Sequence, residues 1–320
     1  MKHNLALIGC GYWGKNYIKE LERVQEAKLK YVYDINKPAV EIPQHIVFTQ
    51  NINDVIRDKD VRGVIIAIPT KYIFDMTKKF LEAGKDVLME KPMTESSNEA
   101  LQLIDLAKRN NSILMVGHVF IHHPAIQKLK AMLDSNELGN IVYIYSQRTA
   151  PGPIRNADEI DVLWDLAPHD LSIFFYLLEK EPAAIKGFAT SFLRKNIFDA
   201  ASFSFKLGDT AVEAHVRWLD TEKTRRMIII GDKKIVVFDD LQQNKLKIYN
   251  SRVEFGEKVR IIENGTTIPE INDETPLGMQ CRHFIACIEN RKEPLTNGES
   301  GHKVVKTLEA ITRLLKHQKM

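Results

Sequence analysis

Three glycines in Gly9-Cys-Gly11-Tyr-Trp-Gly14 directly follow an apolar run and open a segment of helical period. In that setting the first permits a tight turn and the second lets backbone approach a pyrophosphate. The third allows close packing of helix on strand, with the helix N-terminus facing the anion. Tyr12 and Trp13 ride on the same loop and join the glycines as candidate cofactor contacts. Asp34, 20 residues after Gly14, closes the next apolar run, where a carboxylate can accept hydrogen bonds from adenosine ribose hydroxyls. A 2′-phosphate would bring like charge to Asp34; no arginine follows at once and only Lys37 is near, so the pattern favours NAD over NADP.

Further residues fall where parallel strands would end. Ile68-Pro69-Thr70 and Glu90-Lys91-Pro92 each follow an apolar run of strand length, on the rim where such sheets bind ligands. A lysine confined between a strand and a proline can hydrogen-bond a substrate hydroxyl and favour its alkoxide as hydride leaves. Arg148 and Arg155 offer guanidinium forks that match a diphosphate or carboxylate. Trp13 and Trp164 have the shape to cover a sugar or cofactor ring, or to pack in a core. His118, His122 and His123 have a spacing that can suit a metal, but no carboxylate or thiolate pattern accompanies them, so no metal is expected.

To position these residues, the chain up to about residue 120 alternates strand-length apolar runs with longer helical segments, as βαβ units do. Strands are read at Leu5–Gly9, Leu29–Asp34, Ile46–Thr49, Gly63–Ala67, Val87–Glu90 and Ile113–Val116, with helices at Tyr12–Val24, Lys71–Ala83 and Asn98–Arg109. Beyond a helix near Pro124–Asp134, period-two alternation at Ile141–Arg148, Ser202–Leu207, Ala211–Trp218, Met227–Ile230 and Lys234–Phe238 predicts an antiparallel sheet. Helical spacing returns at Gly278–Asn290 and Ser300–Lys316. The fold class expected is α/β plus α+β: a dinucleotide-binding Rossmann domain with a doubly wound parallel sheet over 1–120, and a substrate-binding, oligomer-forming domain with a large, open, mostly antiparallel sheet over 121–320. The two terminal helices are free to pack back on the first domain.

Composition narrows the partners. The chain has 320 residues, 44% hydrophobic and 27% charged, with 45 basic against 42 acidic side chains. That balance supplies no field for nucleic acid or a bilayer surface, so a small molecule is the expected substrate. Cys10, Cys281 and Cys287 are too few and too scattered for a disulfide framework, and a reducing cytoplasm is expected. The apolar stretch at the N-terminus is broken within a few residues, which excludes a signal h-region there.

The glycine loop, Glu90-Lys91-Pro92 after Leu81-Glu-Ala-Gly84-Lys-Asp-Val-Leu-Met, and Asp165-Leu-Ala-Pro-His169 together resemble the Gfo/Idh/MocA oxidoreductases. The resemblance is dense to about residue 180. It implies that Lys91 matches the lysine of the family's E-K-P motif, and that Asp165 and His169 match a D-x-G-x-H motif in which Ala167 replaces the usual glycine. It also implies a role for each. His169 would be the general base, since an imidazole with an unperturbed pKa of about 6.5 accepts a hydroxyl proton near neutrality. Lys91 would stabilise the alkoxide, and Asp165 would bind a neighbouring hydroxyl or orient the base. Sharing one face requires Asp165–His169 to be helical, which Pro168 suits when the helix begins near it. Gly117-His118-Val-Phe120 resembles the family's G-H-x-F-R segment, placing His118 beside the substrate.

The resemblance, with the look of Trp164-Asp165-Leu-Ala-Pro-His169, implies an NAD-dependent dehydrogenase of a secondary sugar hydroxyl, such as C3 of a UDP-N-acetylhexosamine. A homodimer or homotetramer and a pathway aminotransferase partner follow from the same reading. Two alternatives stand beside it: a dehydrogenase of free polyols or aldoses, and a non-catalytic dinucleotide and sugar sensor.

Overall fold

A computed structural model describes residues 3–38, 40–152, 160–254 and 260–317. The chain divides into two compact units, residues 1–122 with 274–306 and residues 123–273 with 307–320. The helices are α1 (Gly14–Leu21), α2 (Ile52–Ile56), α3 (Ile73–Glu82), α4 (Ser97–Arg109), α5 (Pro124–Asp134), α6 (Val162–Leu178), α7 (Pro276–Asn290) and α8 (Gly298–His317).

In the first unit β1 (His3–Ile8), β2 (Ala27–Tyr33), β3 (Val47–Thr49), β4 (Val61–Ile66), β5 (Asp86–Glu90) and β6 (Leu114–Gly117) form one parallel sheet in the order β3-β2-β1-β4-β5-β6. This is the doubly wound Rossmann arrangement. The strands read as near-continuous apolar runs because helices cover both faces; Leu5–Ile8 and Val64–Ile66 have no exposed surface. Leu5, Leu29, Ile65 and Leu88 share a core with Tyr17, Ile18 and Leu21 of α1 and Phe284, Ile285 and Ile288 of α7. Gly63 lets α7 come this close, since a Cβ there would stand 2.7 Å from the Ile288 Cδ1. Truncating Phe284 in such a core costs about 3–5 kcal/mol.

Each strand falls on the run read from the sequence, displaced by a residue or two. The first helix is shorter than Tyr12–Val24, because residues 11–13 belong to the glycine loop and Glu22 caps the end. The segment Lys71–Ala83 divides into a 3-10 turn, Thr70–Tyr72, and α3. At the amino ends of the strands buried charges lock the sheet. Lys85 Nζ donates to the carbonyls of Asp58 and Val61 at 2.6 and 2.9 Å, and Asp86 accepts from the Ile113 amide and Arg291 Nη1, each at 2.7 Å.

The second unit is built on β7 (Ile141–Pro151), β8 (Pro182–Thr190), β9 (Ala200–Leu207), β10 (Thr210–Arg217), β11 (Leu219–Gly231), β12 (Ile235–Asp239), β13 (Leu246–Glu254) and β14 (Arg260–Thr267). They pair in the order β14-β13-β12-β11-β7-β10-β9-β8. All neighbours are antiparallel except β7 and β10, so the sheet is mostly antiparallel, as expected. Phe203 and Phe205 point to the face covered by α6, where Phe174 meets Phe205 edge to face at 6.1 Å. On the other face Tyr143 donates to Glu213 at 2.5 Å, and His215 bridges Glu213 and Ser202 at 3.0 and 2.6 Å.

Candidate active site

The carboxyl rim of the parallel sheet gathers the glycine loop, Asp34, Ile68–Thr70, Glu90–Lys91 and His118. Gly9 has φ +94°, and a Cβ on it would meet the Ala67 carbonyl oxygen at 2.5 Å, so β1 and β4 close on each other only because this residue is glycine. A Cβ on Gly14 would stand 2.2 Å from the Gly9 oxygen, whereas one on Gly11 would meet nothing within 4 Å. Space over Gly11, with no side chain capping α1, is the geometry a pyrophosphate needs. Asp34 ties this loop to the end of β2: Oδ2 accepts from the Cys10 amide at 2.7 Å and Oδ1 from the Asn36 amide at 3.0 Å. Each oxygen keeps a further lone pair for a ribose hydroxyl. These residues fit a dinucleotide. Tyr12 is exposed with the Lys15 ammonium 4.9 Å from its ring centroid, while Trp13 packs on the core. Ile68 lies against Gly9, and Pro69 caps the turn that begins at Thr70.

Two strands further along, the pairing of Glu90 with Gly117 brings the ends of β5 and β6 level. Glu90 is buried; Oε1 accepts from the Tyr17 hydroxyl at 2.8 Å and Oε2 from the Lys91 amide at 3.3 Å. Lys91 is half-buried, followed by a cis bond to Pro92. His118, fully buried after β6, has no hydrogen-bond partner on either ring nitrogen. Its pKa falls to about 3, first through desolvation and then through the Lys91 ammonium, so it is neutral and offers one donor and one acceptor beside that lysine.

In the second unit Asp165 and His169 stand four residues apart on α6, on one face and both half-buried. Asp161 starts this helix by accepting from the Trp164 amide at 3.1 Å. The helix therefore begins well before Pro168, which lies inside it; packing of Val162, Leu163, Leu171 and Phe174 outweighs the donor that proline lacks. Trp218 Nε1 donates to Asp165 Oδ2 at 3.2 Å and holds that carboxylate. Trp164 donates its indole N–H to Thr312 Oγ1 at 2.9 Å.

Arg148 is a correction. Its Nε and Nη2 grip Asp170 at 2.8 and 3.0 Å, both side chains buried, so the fork is engaged inside the unit rather than offered to a diphosphate. Arg155 lies outside the described residues. Of the three histidines, His122 rests against the His283 ring at 5.1 Å with His118 near it, whereas His123 caps α5 through Nδ1 and faces Asp240 at 3.5 Å. Among the described residues no three metal-binding side chains converge.

Tyr17, Gln280, Asp161, Asp170 and Trp218 were not singled out from the sequence. Tyr17 occupies a core position of helical period, and only the pairing of distant elements reveals its hydroxyl contact.

The sequence pattern of an oxidoreductase family, Gfo/Idh/MocA, described as having an NAD-binding Rossmann fold, matches residues 3–118, and that of the Gfo/Idh/MocA C-terminal domain matches 126–237. A UDP-N-acetylglucosamine 3-dehydrogenase of Acidithiobacillus ferrooxidans is 26% identical over 312 residues, 94% of this chain and 93% of its own. A solved structure under the same name and organism superposes with TM-score 0.82 at 22% identity, covering 99% of this chain and 98% of that one. The scyllo-inositol 2-dehydrogenase (NAD(+)) of Bacillus subtilis is 26% identical over 313 residues, 92% of this chain and 89% of its own.

Proposed function

The chain belongs to the Gfo/Idh/MocA oxidoreductases, and from that premise we propose that it oxidises a secondary sugar hydroxyl, specifically C3 of a UDP-N-acetylhexosamine. It is an NAD-dependent dehydrogenase acting on CH–OH groups. The observation that carries the sugar reading is the rim itself, where a dinucleotide cradle lies in the same sheet end as Lys91, anchored through Glu90 and faced by neutral His118.

Bound NAD supplies the hydride acceptor. Gly9, Gly11 and Gly14 with the start of α1 would hold its pyrophosphate, Tyr12 and Trp13 would support the same loop, Asp34 would take the ribose, and Ile68–Thr70 with Glu90 would shape the wall. Lys91 donates a hydrogen bond to the reacting oxygen and stabilises the negative charge that develops there. His169 accepts the hydroxyl proton, and Asp165, held by Trp218, takes a neighbouring hydroxyl or orients the base. His118 lines the substrate side. A homo-oligomer in the cytoplasm, passing a keto sugar to an aminotransferase, completes the proposal; among the described residues no helix is long and apolar enough to cross a membrane.

The 26% identity over 94% of the chain to a UDP-N-acetylglucosamine 3-dehydrogenase supports the nucleotide sugar. Engagement of Arg148 by Asp170 favours a second reading, a free polyol without a diphosphate. To decide, purified protein and NAD are mixed separately with UDP-N-acetylglucosamine, its uronic acid, free hexoses and inositol, and nicotinamide reduction is followed by absorbance. Reduction confined to UDP-sugars is the expected result. Reduction with inositol alone selects the polyol, and NAD binding without reduction in every well points to the sensor.

A further inference from the structure

Three elements of the first unit meet at one buried hydroxyl. Gln280 Nε2 of α7 donates to the Tyr17 oxygen at 2.9 Å, and the Tyr17 hydroxyl of α1 donates to Glu90 Oε1 at 2.8 Å. The other carboxylate oxygen receives the Lys91 amide at 3.3 Å. Tyr17 and Gln280 have no exposed surface and Glu90 is 8% exposed. Behind the carboxylate stands the end of β6, where a Cβ on Gly117 would lie 3.5 Å from Glu90 Cδ.

We propose that Tyr17 is a positioning residue for Lys91, acting through Glu90: the chain from Gln280 to Tyr17 to Glu90 fixes the backbone from which the lysine projects. The proposal rests on the role assigned to Lys91 above. The physical case is one of donors. A carboxylate buried this deeply must be hydrogen-bonded to stay ionised, and one that stays ionised holds its neighbours in one geometry. Tyr17 is well suited to donate, because burial first and Glu90's charge second raise its pKa, keeping the proton on the phenol. Gln280 donates in turn and orients the tyrosine oxygen. Because α1 begins at the glycine loop, the same hydroxyl also ties the lysine to the helix that receives the pyrophosphate.

Other titratable groups around this carboxylate are Cys281 on α7, raised by burial and by the charges of Glu20 and Glu90, then Lys91 itself and His118, which faces Lys91. His118 stays neutral across the working range and supplies no compensating cation, and Cys281 stays a thiol and adds no second negative charge.

The test uses the full chain with the sugar that reduces NAD fastest. Tyr17→Phe removes the donor and almost no volume. It is expected to lower kcat about tenfold, the equivalent of one charge-assisted hydrogen bond, with the NAD dissociation constant within about twofold. Gln280→Met, which leaves the tyrosine in place, is expected to lower kcat about threefold. A merely structural tyrosine would not move the next readout. Difference infrared spectroscopy is expected to show the carboxyl stretching band of Glu90 displaced in Tyr17→Phe, and no such band in the Tyr17→Phe, Glu90→Gln double variant. The double variant is also expected to be no slower than Glu90→Gln alone, because both changes break one chain. Unchanged kcat in Tyr17→Phe, or additive losses with an unmoved band, overturns the proposal. Full activity in Lys91→Ala overturns instead the role of Lys91, and is distinguishable because it concerns a different variant.

Discussion

Two buried carboxylates stand next in sequence to the two residues proposed to do the chemistry, and different kinds of donor hold them. Glu90, before Lys91, receives a neutral hydroxyl from Tyr17 and a backbone amide. Asp170, after His169, receives the two-pronged guanidinium of Arg148. A neutral donor can be withdrawn and the carboxyl can answer by taking up a proton. Withdrawing a guanidinium strands a charge in apolar surroundings. The first arrangement is adjustable, and the second is a lock.

The strongest way to break this comparison is to remove the residues that the carboxylates flank. Lys91→Ala and His169→Ala are each expected to lower kcat by about 10²–10⁴-fold with NAD affinity nearly unchanged, read by steady-state kinetics and equilibrium titration. Either variant keeping full turnover removes the reason to compare the two sites. Next in size is the lock: Arg148→Ala is expected to cost about 3–5 kcal/mol of stability in urea unfolding. Tyr17→Phe, by contrast, is expected to cost about 1–2 kcal/mol, and equal losses would erase the distinction.

A smaller effect sharpens the contrast on the pH axis. His118 and His122 are buried, each with its pKa lowered to about 3 by desolvation, while the unfolded value is about 6.5. The unfolded chain therefore binds more protons, so their contribution is complete above pH 6.5 and declines as pH falls toward 3. His122 is faced by His283 and His118, and both act in the same direction as its burial. His122→Phe is expected to flatten the loss of stability between pH 6 and 4 by about 1.4 kcal/mol per pH unit, measured by unfolding at each pH. An unchanged slope would show that His122 titrates normally. Smallest is Trp218→Phe, which takes one donor from Asp165 and is expected to cost about 1 kcal/mol while lowering turnover severalfold.

Much of the first unit was legible because a parallel sheet buried on both faces writes itself as apolar runs separated by helical period, and a phosphate loop writes itself in glycines. Less of the second unit could be read. Residues 220–226, Asp-Thr-Glu-Lys-Thr-Arg-Arg, are polar and mostly charged yet lie within β11, where Thr224, Arg225 and Arg226 pair with β7 after a break in register, and β8 and β13 alternate too weakly to stand out beside their charged and small residues. Helix α2 has only one buried residue, Val55, and no period to show. Arg148 misled for a physical reason: a fork that suits a diphosphate suits a carboxylate equally, and only the fold brings Asp170 to it. The donors behind Glu90 were hidden for the same reason, since Tyr17 and Gln280 are separated by 263 residues.

The polar contacts at the amino ends of the strands bear on how this enzyme can change. Lys85 and Asp86 with Arg291 clamp the sheet at the end away from the glycine loop, so the turns on the opposite rim are not charged with keeping the strands in register. Loops freed from that duty can accept new side chains without unfolding the scaffold. Substitutions at one rim can therefore change what the sheet binds while the contacts at the other keep its strands in place.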